Sequence, residues 1–463
     1  MIIGGGPGGY PAAFYAADLD MNVTLVDLEE NPGGVCLYRG CIPSKALLHA
    51  ARVLREAKDA ETYGITFGKP KINLDALREW KGSVVSRLTG GLGQMRTMRK
   101  VKGIQGRARF LGPDQISVDR VDGRSEEIDF DYAILATGSR PATLPLFDVG
   151  SDRILDSTSA LELREIPNHI LVVGGGYIGL EMTTVYAALG SRVSVVEMMP
   201  GLLPGADRDL VTHLTRAIRE ITDKVLLDTK VVGVEKAKSN IKVRFEDKEG
   251  KSSTESYDYI LASIGRKPNS EDIGLEKTKV VVNQRGIIEV DPQRRTAESS
   301  IFAIGDVAGD PMLAHKATYE GKVAVEAIAG KKTIFDAAAI PGVVFTDPEV
   351  AWTGITEEEA RAKGIQVKVA KFPWGASGRA TTLERNDGLT KIIADPETER
   401  VLGIGITGVN AGDLIAEATL AIEMGCTVSD LMLTIHPHPT LSETVMEAAE
   451  AFHGHSAHFY KKR

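Results

Sequence analysis

The chain has 463 residues, 43% of them hydrophobic, which is enough for about three domains that each bury a core and too long for a small disulfide-stapled fold. The 55 basic and 63 acidic residues give a net charge of −8, and no long run of one sign indicates binding to nucleic acid or to a membrane surface. No segment approaches the roughly 18 apolar residues of a transmembrane helix, and three cysteines are typical of a reducing compartment. We therefore expect a cytoplasmic enzyme whose partners are small molecules or proteins.

The first predicted element is a short strand that runs into a glycine-rich turn and then into a helix. The spaced glycines of this turn are Gly4, Gly6 and Gly9. They allow the tight turn in which a pyrophosphate approaches the backbone at a helix N-terminus. Asp27 stands 18 residues after the last of these glycines, where its carboxylate can accept a hydrogen bond from a ribose hydroxyl. Only residues 1–3 precede the glycines, short for a strand of about five residues, so we expect the natural chain to begin slightly earlier.

A pair of cysteines follows the turn. Cys36 and Cys41 are separated by four residues, and the third cysteine, Cys426, lies in an apolar, helix-like segment where it is expected to fill a core. Pro43 indicates that a helix begins near Cys41, so backbone N–H groups and the helix dipole favour the Cys41 thiolate. We therefore predict a redox-active dithiol. The alternatives are a permanent disulfide and half of a zinc site, and no metal site is predicted because no second ligand pair has the required spacing.

The glycine-rich turn recurs 170 residues further along the chain. The glycines of the second copy are Gly174, Gly176 and Gly179. Glu197 follows at the position that corresponds to Asp27. A single motif of this kind could be an ordinary packing turn, whereas two copies with both acids in register indicate two dinucleotide sites. Glu197 favours NAD over NADP because a carboxylate repels a 2′-phosphate, although Arg192 is a nearby positive charge.

Each glycine-rich unit closes with a similar segment. Residues 131–141 and 258–268 both read as a buried strand that ends at a glycine turn near the ligand. A third such strand ends at Asp306, which could also be a simple turn residue. The following segment, residues 312–315, has the pattern of a helix start.

Beyond residue 340 the pattern changes to that of a separate α+β domain. Strands are predicted at residues 366–369, 390–394 and 401–406, and helices around residues 412–425 and 440–452. Strands that precede helices in this way differ from the alternation of the two preceding units.

The segment before the last helix contains the candidate proton-transfer group. His438, held extended by Pro439, is the better candidate for the base, because histidine side chains exchange protons near neutral pH. His436 could equally be a solvated loop residue. Thr440 and Glu443 have the spacing of a capping box, which favours a structural role for Glu443, although a carboxylate in the first helical turn can also orient an imidazole.

Together, these motifs resemble those of the pyridine nucleotide-disulfide oxidoreductases. The segments that carry the resemblance are residues 33–45, 174–181, 303–309 and 438–443. Within the family, the likeness is strongest to members that oxidise a dihydrolipoyl group with NAD⁺. The resemblance implies an α/β fold with two Rossmann-like dinucleotide-binding domains and a C-terminal α+β dimerisation domain. The implied divisions are residues 1–141 for the first part of an FAD-binding domain, 142–268 for an NAD-binding domain, 269–340 for a central domain that completes the FAD site, and 341–463 for the interface domain.

The resemblance also implies which residues bind the two cofactors, FAD and NAD. The residues that would line the FAD site are Gly4, Gly6, Gly9, Asp27, Lys45, Thr137, Gly138, Asp306, Met312, Leu313, Ala314 and His315. NAD would be bound by Gly174, Gly176, Gly179 and Glu197, and the other cofactor-binding residues would be Ala108, Ser139, Tyr177, Ile178, Val231 and Gly265. Tyr177 would cover the nicotinamide side until NAD displaces it. Lys45 and Glu181 would form an ion pair beside the flavin ring.

The roles of the reacting groups follow from the same resemblance. Cys36 would be the interchange thiol that meets the substrate, and Cys41 would be the charge-transfer thiol against the flavin. His438, oriented by Glu443, would come from the partner subunit of a homodimer and deprotonate the dihydrolipoyl group. The protein partner would be a lipoyl-bearing acyltransferase or carrier protein of a 2-oxo acid dehydrogenase or glycine-cleavage complex.

A few positions depart from the common family pattern without removing a reacting group. Tyr38 and Arg39 stand where Asn and Val are common, Asp27 replaces a usual Glu, and Pro437 replaces a frequent Ala. Arg39 could change the pKa of the thiols or the approach of the substrate.

Other functions of the same scaffold stay open as alternatives. A glutathione reductase-like enzyme would favour basic residues after the second acidic strand, and a mercuric reductase-like enzyme would favour a vicinal cysteine pair near the C-terminus. This sequence has neither feature. A nucleotide-loaded scaffold subunit without turnover is the third alternative, and it has no need of the cysteine pair, His438 and Glu443 together.

Overall fold

The computed structural model of the protein describes residues 1–460, and its first unit is built on a seven-stranded sheet. The strands of this part of the chain are β1 (Ile2–Ile3), β2 (Thr24–Asp27), β3 (Lys102–Phe110), β4 (Gln115–Arg120), β5 (Ser125–Asp129), β6 (Ala133–Leu135) and β7 (Ser139–Pro141). Its helices are α1 (Gly9–Asp18), α2 (Gly34–Arg39), α3 (Cys41–Asp59) and α4 (Leu74–Met98). Strands β6, β1, β2 and β3 are parallel neighbours, and β3, β4 and β5 continue as an antiparallel meander.

The burial of these strands explains their sequence patterns. Strands β1 and β6 are buried throughout, as expected for parallel strands that are covered on both faces and therefore read as continuous apolar runs. In β3, buried and more exposed positions alternate from Ile104 onward, which is typical of a strand with one face toward solvent. The two kinds of pattern thus separate the parallel core of the sheet from its antiparallel extension.

The second unit repeats the arrangement of the first. Its strands are β8 (Ile154–Leu155), β9 (His169–Val173), β10 (Arg192–Val196), β11 (Lys224–Leu226), β12 (Thr229–Lys236), β13 (Ile241–Asp247), β14 (Ser252–Tyr257), β15 (Tyr259–Ala262) and β16 (Arg266–Pro268). Its helices are α5 (Ser157–Ala160), α6 (Tyr177–Leu189) and α7 (Arg208–Ile221). A parallel sheet in the order β11-β10-β9-β15-β8 is accompanied by an antiparallel sheet of β12, β13 and β14.

The two repeated closing segments meet each other in the structure. Strand β7 of the first unit pairs antiparallel with β16 of the second, so the ends of the two similar segments form a ribbon between the units. The chain then returns to the first sheet, where β17 (Ile301–Ala303) pairs parallel with β6 and α8 (Ala314–Ile328) packs against α1. The predicted third strand end and the predicted helix start are thereby confirmed.

The C-terminal part is an antiparallel sheet covered by helices. Its strands are β18 (Gly342–Val344), β19 (Glu349–Gly354), β20 (Lys368–Pro373), β21 (Leu389–Ala394) and β22 (Val401–Gly408), in the sheet order β18-β19-β22-β21-β20. Its helices are α9 (Glu357–Lys363), α10 (Gly378–Thr382), α11 (Ala411–Glu423), α12 (Val428–Leu433) and α13 (Glu443–His453). The sequence prediction found β20, β21, β22, α11 and α13, and it missed β18, β19, α9, α10 and α12. Cys426 is partly buried against the core of this domain, as predicted.

The predicted fold class is confirmed, since two parallel α/β units precede an α+β domain. The predicted divisions fall at the ends of β7 and β16 and in the segment before β18, and we keep them as a proposal. Among residues 1–460, no helix is both long and apolar enough to cross a lipid bilayer.

A buried lysine joins the second unit to the C-terminal domain. Lys391 lies in β21 with its side chain only 1% exposed, and its Nζ is 2.7 Å from Asp207, 3.0 Å from Asp209 and 2.5 Å from Glu357. Within residues 1–460, these three carboxylates are the one group of acidic, histidine or cysteine side chains placed closely enough to suggest a metal site. Because the ammonium group of Lys391 lies among them, we assign the cluster to interdomain packing.

We expect Lys391→Met to lower the free energy of unfolding by about 3 kcal/mol, because removal of one partner leaves buried carboxylates without a counter-charge. The matched control is Lys371→Met, which removes ion pairs with Asp209 and Glu357 of the same cluster from a side chain that is 42% exposed and should cost under about 1 kcal/mol. Thermal unfolding of both variants measures the difference. Equal midpoints for the two variants would contradict the assignment.

Candidate active site

One cavity joins the two glycine-rich units and the cysteine pair. Its walls come from the first glycine-rich turn, the end of β2, the start of α3, the strand ends after β6 and β17, and the first turns of α6 and α8. The predicted site residues that line it are Gly4, Gly6, Asp27, Cys36, Cys41, Lys45, Thr137, Gly138, Ser139, Tyr177, Ile178, Glu181, Asp306, Met312 and Ala314. The fold therefore brings together residues that lie more than 300 positions apart in the chain.

The three glycines of the first turn meet three different requirements. Gly4 has a φ of +103°, which side chains rarely adopt. At Gly9 an added Cβ would lie 1.8 Å from the carbonyl oxygen of Gly4, so the helix can pack on the turn only if this residue has no side chain. At Gly6 an added Cβ would meet no atom nearer than 3.9 Å and would project into the space beside the turn. This open space at the N-terminus of α1 fits a pyrophosphate.

Asp27 ends β2 beside this turn. Its carboxylate accepts hydrogen bonds from the backbone N–H of Gly5 and, at 2.8 Å, from that of Glu29. Burial raises the pKa of Asp27, and the two N–H donors oppose this shift. Carboxylate oxygens have spare lone pairs, so Asp27 can also accept from ribose hydroxyls in the cavity that it lines.

The second turn repeats this geometry. Gly174 has a φ of +105°, and a Cβ added at Gly179 would lie 2.2 Å from the carbonyl oxygen of Gly174. At Gly176 an added Cβ would meet nothing within 4 Å. Glu197 is buried and accepts from the backbone N–H of Gly175 at 2.7 Å and of Met199 at 2.8 Å. The second turn therefore also fits a dinucleotide.

Arg192 does not weaken the preference for NAD over NADP. It begins β10, at the opposite end of the strand from Glu197, and its guanidinium lies 3.0 Å from Nδ1 of His169. A residue that binds a 2′-phosphate has to lie near the acidic strand end, and Arg192 does not.

The strand ends around Ser139 contain two polar residues that the sequence analysis missed. Ser139 donates to Asp306 through its hydroxyl and accepts from the guanidinium of Arg266 at 2.7 Å. Asn269 donates to the carbonyl of Thr137 at 2.9 Å and lines the cavity. Arg266 lies within the second repeated segment and Asn269 directly follows it, so the repeat itself was the signal that could have drawn attention to them.

Other predicted cofactor residues lie outside the cavity wall. Ala108 is only 5% exposed and packs in the core, and Val231 lies in β12, after the acidic strand end. Leu313 precedes α8 without lining the cavity, and His315 points away, with Nε2 2.8 Å from the carbonyl of Pro341. Gly265 lies just beyond β15, where its φ of +119° makes the turn toward β16. Contact of these side chains with a cofactor is therefore not shown by the cavity.

The two cysteines lie in two consecutive helices. Cys36 lies within α2, and Cys41 is the first residue of α3, as Pro43 predicted. The two side chains share a hydrogen bond, which lowers the pKa of Cys41 to about 7 and raises the pKa of Cys36. Burial opposes the shift at Cys41, and the positive charge of Lys45 supports it. The arrangement therefore places the thiolate on Cys41.

We expect the Cys41 thiolate in the reduced protein to form with a midpoint near pH 7, so that it is lost as the pH falls below this value. Cys36→Ala should move the midpoint upward, toward that of an ordinary thiol, because it removes the largest stabilising contact. The ¹³C chemical shift of labelled cysteine Cβ atoms reports both titrations. A midpoint that is the same with and without Cys36 would contradict this account.

Lys45 and Glu181 form an ion pair behind the cysteines. Lys45 Nζ lies 2.9 Å from a carboxylate oxygen of Glu181, whose side chain is only 4% exposed. The backbone N–H of Phe345 donates to the same carboxylate at 3.1 Å, and the Lys45 ammonium lies 4.5 Å from the centre of the Phe345 ring. The carboxylate is thus compensated on two sides, and Lys45 has a fixed position in the wall of the cavity.

The turn that carries Asp306 depends on a buried charge that the sequence analysis missed. Glu320 of α8 is fully buried and accepts from the backbone N–H of Gly305 at 2.6 Å. Arg294 and Lys316 lie 2.9 Å from the other carboxylate oxygen. No local pattern distinguishes Glu320 from a surface residue of an amphipathic helix.

His438 and Glu443 are paired on the surface of the C-terminal domain. Nδ1 of His438 lies 2.9 Å from Glu443, whose second oxygen accepts from the backbone N–H of Thr440 at 2.8 Å. Although burial of this carboxylate acts in the opposite direction, these two contacts lower the pKa of Glu443. The His438 side chain is 74% exposed and does not line the cavity that contains the cysteines. The structure of one chain therefore leaves this pair apart from the dithiol.

Two local predictions for this segment require correction. The helix begins at Glu443, and the Thr440 hydroxyl donates to the carbonyl of Pro437, so only the Glu443 half of the predicted capping box forms. His436 is not a solvated residue, because its side chain is 4% exposed and Nε2 lies 2.7 Å from Glu417.

Comparison with known proteins identifies the family. The profile described as "Pyridine nucleotide-disulphide oxidoreductase" matches residues 1–321. The profile of the dimerisation domain of the same family matches residues 340–449. The two matches together span nearly the whole chain.

Relatives over the full length share a single name. The chain is 50% identical to the dihydrolipoyl dehydrogenase of Vibrio cholerae, over 98% of this chain and 95% of the relative. It is 48% identical to that of Thermus scotoductus, over 100% of this chain and 99% of the relative. The corresponding protein of Geobacillus stearothermophilus is 44% identical over 100% and 97% of the two chains.

Solved structures show the same fold at greater sequence distance. LpdA of Mycobacterium tuberculosis matches with a TM-score of 0.89 and 27% identity, over 97% of this chain and 98% of that chain. The HOCl-induced flavoprotein disulfide reductase RclA of Escherichia coli matches with a TM-score of 0.86 and 26% identity over the same shares. The chain therefore belongs to the pyridine nucleotide-disulphide oxidoreductase family, and within it to the group of the dihydrolipoyl dehydrogenases.

Proposed function

We propose that the protein oxidises protein-bound dihydrolipoyl groups with NAD⁺ and that FAD carries the electrons between the cysteine pair and NAD⁺. The observation that carries the proposal is a single cavity lined by the dithiol, the Lys45–Glu181 ion pair, the first glycine-rich turn and the first residues of α6. The enzyme is an oxidoreductase that uses FAD and NAD, as its family does.

FAD is assigned to the first turn. The open space beside Gly6, the carboxylate of Asp27 and the strand ends at Thr137 and Asp306 match a dinucleotide that extends from β2 toward the cysteines. The N-terminus of α8, at Ala314, lies on the same wall, and its backbone N–H groups favour a negative charge nearby. In this proposal Leu313 and His315 contact FAD through backbone atoms. Ala108 can likewise contact FAD only through its backbone.

NAD is assigned to the second turn. Gly176 leaves room for the pyrophosphate, and Glu197 is placed for the ribose hydroxyls. Tyr177 begins α6 and lines the cavity with 39% of its surface exposed, so it stands between the second turn and the first unit. We propose that Tyr177 moves aside when the nicotinamide enters.

The cysteines perform the thiol-disulfide exchange. A dihydrolipoyl thiolate attacks Sγ of Cys36 in the Cys36–Cys41 disulfide, the S–S bond breaks, and Cys41 leaves as a thiolate. The second substrate thiol attacks the mixed disulfide, releases the lipoyl disulfide and leaves Cys36 as a thiol. The helix N-terminus and Lys45 hold the negative charge on Cys41. The Cys36–Cys41 disulfide re-forms when the pair gives up two electrons and the Cys36 proton, and FAD, when bound, would supply their transfer to NAD⁺ as a hydride.

The proton acceptor is assigned to the second subunit of a homodimer. The C-terminal segment matches the dimerisation profile of the family, and the chain that contains the thiols leaves its own His438 outside their cavity. In this proposal His438 of one subunit accepts the substrate proton beside Cys36 of the other, and Glu443 holds its imidazole.

We propose that the protein partner, which carries the dihydrolipoyl group, is a lipoyl-bearing acyltransferase or carrier protein. The cytoplasmic location stays a prediction.

Two assays on the purified protein distinguish this function from its alternatives. We expect NADH to form from dihydrolipoamide and NAD⁺, whereas NADPH should not be oxidised by glutathione disulfide, because Glu197 repels the 2′-phosphate. Activity in the second assay alone would replace the proposal by a glutathione reductase-like function. A yellow protein without either activity would favour a scaffold subunit.

A further inference from the structure

Arg39 lies in the wall of the cavity that also contains the cysteine pair. It ends α2, three positions after Cys36, so both side chains lie on the same face of the helix, toward the cavity. Its guanidinium forms an ion pair with Glu29, which follows the end of β2 and lines the same cavity. Lys45 acts on the pKa of both cysteines and Glu181 on that of Cys41, and these two residues form their own ion pair, separate from that of Arg39.

The ion pair joins two walls that are separate in the fold. One wall is α2, whose start is fixed by the close approach of Gly34 to Gly6 of the first turn. The other wall is the strand end where Asp27 and Glu29 lie, and the backbone N–H of Glu29 donates to Asp27. Arg39 therefore bridges the cavity where the acid of the nucleotide motif is found.

This position corresponds to one half of a bound dinucleotide. The acid at the end of the second strand of such a unit binds the ribose of the adenosine half. A guanidinium that is planar and always charged can stack on an adenine or donate to a phosphate oxygen. Glu29, the ion-pair partner of Arg39, lies two positions from Asp27 and donates its backbone N–H to it, so the ion pair lies beside the acid of the motif.

We propose that Arg39 and Glu29 form a latch over the adenosine half of FAD, so that Arg39 controls the retention of FAD and not the reactivity of the thiols. The proposal rests on the proposed function, because it takes FAD as the ligand of the first unit. An extended cofactor that lies between α2 and the end of β2 can leave only when the ion pair opens. Salt, which screens this partly exposed pair, should therefore speed the release of FAD.

The test is the rate at which FAD leaves the holoenzyme, followed by the fluorescence of free flavin after dilution. We expect Arg39→Met to release FAD about fivefold faster at low salt, which is the upper range for an exposed ion pair, and to lose most of the salt dependence. Glu29→Gln should have a similar effect. The double variant should be no faster than either single variant, since both remove one interaction.

The matched control is Arg99→Met, which breaks another ion pair of the first unit, with Asp18 at 2.9 Å, outside the cavity. It should leave the release rate unchanged. The titration of the Cys41 thiolate is the second readout, and it should be the same in Arg39→Met as in the unsubstituted protein. Unchanged release in both Arg39→Met and Glu29→Gln, or a shifted thiolate titration with unchanged release, would overturn the latch.

These results are separable from a failure of the proposed function. A protein that binds no FAD, even when FAD is added, would refute both proposals. A protein that binds FAD equally well in all variants and still forms NADH from dihydrolipoamide would refute the latch alone.

Discussion

The Cys36→Ser enzyme is expected to form NADH from dihydrolipoamide at least about 10⁴-fold more slowly than the unsubstituted enzyme, because serine cannot take part in thiol-disulfide exchange. Cys36 shares a hydrogen bond with Cys41 and lines the cavity, so no other sulfur can replace it there. The measurement is the steady-state rate at saturating dihydrolipoamide and NAD⁺.

Two controls separate lost chemistry from a damaged fold. Oxidation of NADH by ferricyanide needs bound FAD and no thiol, so it should survive in Cys36→Ser. Cys426→Ser changes the cysteine that packs against the core of the C-terminal domain and should leave both activities in place. If Cys36→Ser retains more than about a tenth of the dihydrolipoamide activity, the exchange reaction does not use this residue.

His438→Gln is expected to lower the same rate by about 10²- to 10⁴-fold, which is the usual contribution of a positioned general base. Glu443→Gln should have a smaller effect, because Glu443 holds the imidazole at 2.9 Å and does not itself accept the substrate proton. Glu417→Gln is the matched control, since Glu417 holds His436 in the same way without contacting the reacting groups. An equal loss in Glu417→Gln would show that the segment is merely disrupted.

Mixed dimers test whether the site is shared between subunits. A heterodimer of one Cys36→Ser chain and one His438→Gln chain has one site with both substitutions and one site with neither, if each site takes its thiols from one chain and its histidine from the other. Such a heterodimer should show about half of the unsubstituted activity, although each homodimer is inactive. An inactive heterodimer would place the thiols and the histidine of a working site in a single chain.

The sequence was sufficient where a function depends on a few consecutive residues. The glycines of both turns, Asp27 and Glu197 have a fixed spacing because one strand, one tight turn and one helix set it. Cys41 was placed correctly at a helix start by Pro43, two positions later. In each case, the physical requirement is local, so the pattern of residues expresses it directly.

The tertiary structure was needed where contacts join distant segments. The capping box at Thr440 was only half right, because the Thr440 hydroxyl donates to the carbonyl of Pro437 and not to the helix. His436 lies in a loop, as the sequence allowed, but it is not solvated, because Glu417 of α11 pairs with it. The repeat could draw attention to Arg266 but not to its partner, because its contact with Ser139 comes from the pairing of β16 with β7.

By itself, the sequence determined the fold class and the two glycine-rich units, and it predicted which residues react. Only the tertiary structure decided that Arg39 pairs with Glu29, that Lys391 balances three carboxylates and that His438 lies apart from the thiols of its own chain. Short-range patterns reflect backbone geometry, which a few neighbouring residues specify. Charge pairing across the fold depends on the packing of whole units, and no single segment contains that information.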